Sequence, residues 1–107
     1  MKHPILVKDD YTLYIEYGEY DGKECIFAHC DVYKWTKTVK DNIIKDVYFV
    51  ASVQSLPVYT VNDPTDIKHR KFLYMVGFIP CNQVVILQDG SQKELFVWDG
   101  ISLTKGF

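Results

Sequence analysis

Apolar and polar positions alternate from Tyr11 to Tyr17. Tyr11, Leu13, Ile15 and Tyr17 fall on one face, and Thr12, Tyr14 and Glu16 on the other. Aromatic and β-branched residues at period two predict a strand. A second strand, Cys25 to His29, follows a loop over 19–23 in which Asp21-Gly22 supplies the turn. From Val32 the period changes. Val32, Trp35, Val39, Ile43, Val47 and Val50 recur every three or four residues, with Lys34, Lys37, Asp41 and Lys45 on the opposite side. This spacing predicts a long amphipathic helix over 31–54, with Asp31 as its N-cap and Leu56-Pro57 as its stop. Val58 to Val61 reads as a short buried strand, and 62–66 as a turn cluster. A second helix is expected over 66–76, with Phe72, Leu73 and Val76 facing the core and Gly77 just past its end. Val84 to Leu87 and Glu94 to Trp98 then form a hairpin around Asp89-Gly90, and 98–107 is a short tail.

The expected order is strand, strand, long helix, strand, short helix, strand, strand. A helix between two strands is the crossover that joins parallel neighbours, whereas the flanking hairpins are antiparallel. The fold class is therefore α+β: one small domain over 1–107 with a mixed, mostly antiparallel sheet, one long helix and one short helix.

Composition narrows the function. The 107 residues are 48% hydrophobic and 24% charged, with a net charge of −2, so no global basic field favours nucleic acid. No apolar run approaches the roughly 20 residues of a spanning helix, and the N-terminal apolar patch is too short for a signal-peptide core. The expectation is a cytoplasmic protein, in a host cytoplasm or a virion if the gene is viral. Three cysteines, Cys25, Cys30 and Cys81, are an odd number without a secretory signal and read as reduced small hydrophobes. Cys25, His29 and Cys30 cluster in sequence but lack the paired spacing of a metal site, so neither metal ligands nor a catalytic pair is assigned.

Two surface features remain. Lys68-His69-Arg70-Lys71 is a basic run near a helix start, where the dipole prefers negative charge; Lys68, Arg70 and Lys71 are candidates for an anion or partner contact. The tyrosines of the first third, Tyr14 and Tyr20 among them, offer a face suited to protein contact.

The segment Asp66-Ile-Lys-His-Arg-Lys-Phe-Leu-Tyr-Met-Val-Gly-Phe78, then Val84 to Leu87, Asp89-Gly90 and Leu95 to Trp98, resembles the C-terminal half of the GNAT acetyltransferase fold, in which a helix ends in a Gly-Phe step before the last two strands. More narrowly, it resembles small GNAT-like proteins of tailed bacteriophages, some of them virion or assembly proteins. The resemblance implies a minimal GNAT-like domain, and it also points to departures from the active enzymes. Those enzymes bind the coenzyme A pyrophosphate on a glycine-rich loop at a helix N-terminus. The matching segment here, His29 to Thr36, has no glycine, nor does any position from Lys23 to Val76; it carries Asp31, Tyr33 and Trp35 instead. The position of the family's general-acid tyrosine holds Leu73, with Tyr74 one residue on. The chain also lacks room for the two N-terminal helices of the acceptor site. The resemblance thus implies a catalytically degenerate protein with no cofactor and a protein partner. The alternative is an acetyl-CoA-dependent transferase that holds its cofactor with side chains such as Lys34, Lys37 or the 68–71 run.

Overall fold

The computed structural model describes residues 1–99. Its backbone clusters into two compact units, one from Met1 to Val58 and the other from Tyr59 onward. The fold class is α+β with mostly antiparallel strands, one long helix and one short helix.

The first unit is an antiparallel meander with a helix laid on it. Strands β1 (His3–Val7), β2 (Tyr11–Tyr20) and β3 (Lys23–Val32) are followed by α1 (Lys37–Ser52). The hairpin of β2 and β3 is longer than predicted: its ladder runs from Tyr11↔Val32 to Tyr20↔Lys23. The expected loop over 19–23 shrinks to a two-residue turn, because Asp21 and Gly22 both take positive φ, 54° and 75°. Strand β1 does not stand out in the sequence pattern. It carries Pro4 and an irregularity between Pro4 and Leu6, which breaks the alternation that marks a strand.

The helix begins later than the periodicity indicated, and Asp31 is not its cap. Asp31 pairs with Thr12 in the β2–β3 ladder, and the amides of Tyr33 and Lys34 both bond to Asp10 O, which holds the chain extended. Thr36 is the N-cap, its Oγ1 accepting from Val39 N at 3.1 Å. Val32 and Trp35, expected on the helix's buried stripe, lie before it and are exposed. Within the helix Val39 and Ile43 are buried as expected, Val47 and Val50 are only half-buried, and Ala51, outside the expected stripe, is buried. Asp46 ties α1 to β2 by accepting from Tyr11 Oη and from Lys8 Nζ. Tyr11, Leu13, Ile15, Cys25 and Ile26 complete this core.

The second unit contains β4 (Val58–Asn62, from Tyr59 on), α2 (Ile67–Met75), β5 (Phe78–Ile86) and β6 (Gln92–Trp98). β6 is central, antiparallel to both β4 and β5. Asp66, expected as the first residue of this helix, is instead its cap, accepting from His69 N at 2.9 Å; Gly77 ends the helix with φ 99°, as the sequence indicated. Leu73, Val76, Phe78, Leu95 and Phe96 are buried. Phe72, expected among them, is only half-buried. The tail expected over 98–107 falls almost wholly outside the described residues; Trp98 itself belongs to β6.

Candidate functional site

A dense polar cluster lies in the second unit, where β4 ends and α2 begins. Asn62, the last residue of β4, is 1% exposed. The β4–β6 register sets it opposite Glu94. Its Nδ2 donates to Asp63 O at 2.9 Å, to Glu94 Oε1 at 3.2 Å and, more distantly, to Asp66 O at 3.4 Å. Its Oδ1 lies 2.6 Å from His69 Nδ1. His69 sits in the first turn of α2, and its ring stacks on Phe72 at 6.3 Å. Arg70 Nη2 donates to the same Glu94 Oε1 at 2.5 Å and to Pro64 O at 3.3 Å. Lys93 pairs with Asp63 at 3.4 Å. Arg70 Nε is buried with no hydrogen-bond partner among the described residues.

The basic run is thereby divided. Arg70 is engaged by Glu94, while Lys68 and Lys71 are exposed. Arg70 holds the Glu94 carboxyl below its usual range, and burial lowers the pKa of His69. The sequence signalled His69 only as a member of the run. Asn62 read as part of a turn cluster and Glu94 as a strand start, because their meeting depends on a register between segments 32 residues apart.

In the first unit, Tyr14 and Tyr20 stand six residues apart on β2 and share a face, and both are half-buried. The tyrosines most open to solvent are instead Tyr17, at 61%, and Tyr33, at 59%. Tyr33 Oη donates to Thr12 Oγ1 at 3.0 Å. Hydrogen bonding with Tyr33, then burial and Asp31, pushes the Tyr14 phenol up to about 12. Lys2 Nζ lies 5.9 Å from the Tyr14 ring centroid. On the same face His29 Nε2 meets Glu16 Oε1 at 3.2 Å. Burial lowers the His29 pKa and outweighs that bond. Cys30 is pushed up to about 12 by burial and then by Asp31, so its thiol is unreactive at neutral pH. No disulfide and no group of three potential metal ligands occurs among the described residues, and no helix among them is long and apolar enough to cross a membrane.

These shifts give a signed pH dependence. His29 and His69 both have folded pKa values below the usual 6.5, so the unfolded chain binds more protons in that range. Their contribution is complete above pH 6.5 and is lost as pH falls through it. A second loss begins below about 4.5, where Glu16, held down by the Met1 amino group, and Glu94 protonate. Melting temperature should therefore drop between pH 7.5 and 5.5, before carboxylates titrate. An unchanged melting temperature across that interval would contradict the burial of the two imidazoles.

The architecture is that of a GNAT-like acetyltransferase fold. The likeness is to a solved structure of AAC(6')-Ib in complex with paromomycin and acetyl-CoA, with a TM-score of 0.54 and 12% identity, covering 91% of this chain and 69% of that one. At that identity the likeness establishes the fold. No protein-family model and no curated protein matches the chain.

Proposed function

We propose that this chain uses the acetyltransferase scaffold as a protein-contact module, not as an acetyl-CoA-dependent enzyme, and that it serves a bacteriophage as a virion or assembly component or as a binder of a host factor. The observation that carries this reading is the connection between β3 and α1. Residues 33–36 contain no glycine that would let a pyrophosphate approach the backbone. Tyr33 is anchored on Thr12, and Thr36 Oγ1 already occupies the amide of Val39. In α2 the position that the resemblance gives to a general-acid tyrosine holds Leu73, which is buried, while Tyr74 is half-exposed and edge-on to Phe96. Tyr17, Tyr33 and Trp35 are exposed aromatics of the kind that dominate contact surfaces.

One observation favours the second reading, acetyl transfer from acetyl-CoA. With Asp31 held in β3, the start of α1 has no acidic residue in its first turn, and Lys34, Lys37 and Lys40 are exposed around it. Side chains there could meet phosphates without a glycine loop.

Calorimetric titration with acetyl-CoA separates the two readings. No binding at millimolar ligand is the expected result, and micromolar binding would overturn the contact reading in favour of the enzyme. Mass spectrometry of purified particles then divides the contact roles: the chain's presence supports a virion component, and its absence the host-factor binder.

A further inference from the structure

The hydrogen bonds around Asn62 determine the protonation of His69. Asn62 Nδ2 faces three acceptors, so the amide has a single sensible orientation, with Oδ1 toward the imidazole. An amide oxygen only accepts. Nδ1 of His69, 2.6 Å away, must therefore carry the proton, and in the neutral ring Nε2 holds the lone pair. Nε2 hydrogen-bonds to no described residue and, on a half-buried ring, is not fully enclosed. Stacking on Phe72 holds the ring plane.

The charges around the ring come from three elements. Asp63 and Asp66 lie in the β4–α2 loop, Lys68, Arg70 and Lys71 on α2, and Lys93 and Glu94 on β6. Arg70 pairs with Glu94, and Lys93 with Asp63, so Asp66 is the carboxylate that acts on the imidazole. Burial outweighs it and keeps the ring neutral at pH 7.

We propose that His69 Nε2 is a nucleophilic site that takes an acyl group from activated esters or thioesters. The Nε2 lone pair attacks the acyl carbon, and the bond from that carbon to the leaving oxygen or sulfur breaks, releasing an alkoxide or thiolate. The resulting acyl-imidazolium keeps its proton on Nδ1, donated to Asn62 Oδ1. Water then adds to the acyl carbon, the C–N bond breaks, the carboxylic acid departs, and one proton passes to solvent to restore the neutral ring. This chemistry needs no pyrophosphate site. It stands apart from both the contact role and acetyl-CoA binding.

The probe is p-nitrophenyl acetate, given to the full chain. Wild type should release p-nitrophenolate about tenfold faster than His69→Gln, with a rate that is sustained until pH falls below the usual histidine range. The double variant His3→Gln/His29→Gln should retain the wild-type rate. Equal rates for wild type and His69→Gln, with dispersed NMR spectra for both, would overturn the proposal. A second measurement needs no variant: long-range proton–nitrogen correlations should show His69 as the Nδ1–H tautomer. Finding the proton on Nε2 would overturn the proposal as firmly.

Discussion

Replacing Asn62 with alanine should lower stability by about 3 kcal/mol in urea denaturation, far more than an average polar substitution. The loss has two parts. Asn62→Ala removes the acceptor of His69 Nδ1 and the donor to Glu94 Oε1 and to two backbone carbonyls. It also opens a void at a site that is 1% exposed. The neighbours cannot rehydrate cheaply, because Glu94 is already drawn toward Arg70 and the His69 ring is stacked on Phe72. Asn62→Asp should not rescue it, since a second carboxylate would then face Glu94. A loss below about 1 kcal/mol would mean that water takes over the amide's bonds and that the cluster is looser than its distances imply.

Phe96→Ala should be costlier still, about 4 kcal/mol, measured the same way. Phe96 is fully buried on β6, the strand paired on both sides in its unit. Its ring meets Tyr74 edge-on at 5.8 Å. A truncation there leaves a cavity between two strand pairings and α2, whose Leu73 and C-cap Val76 are themselves buried. Phe96→Leu should recover more than half of the loss, because it restores volume without the ring contact. If Phe96→Ala and Phe96→Leu were equally damaging, the aromatic contact, and not the volume, would account for most of the stabilisation at this site.

Elements with a strong period were legible in the sequence, and their limits were not. The β2–β3 hairpin, the α1 stripe through Val39 and Ile43, and the Gly77 stop all follow from local chemistry. The start of α1 did not. Asp31 and Thr36 are both competent caps, and a long-range ladder decides between them by drawing Asp31 into β3 opposite Thr12. β1 was hidden for a similar reason, since Pro4 and the neighbouring irregularity spoil its alternation and only pairing with β2 defines it. The candidate site was legible in part. His69 was visible as a residue of the basic run, but its partner Asn62 and their common neighbour Glu94 meet only through the β4–β6 register.

The two-residue turn at Asp21 and Gly22 bears on the order of events as the chain folds. Its pair of positive φ values closes ten cross-strand pairings whose partners are near in sequence, so this ladder can assemble before distant segments meet. Once closed, the turn forbids a slip of one residue, which would turn Leu13 and Ile15 away from the face they share with their partners Cys30 and Ala28. Helix α1 emerges from the end of that ladder. The hairpin is then a template finished early, and Tyr11 waits at its far end for Asp46 to arrive.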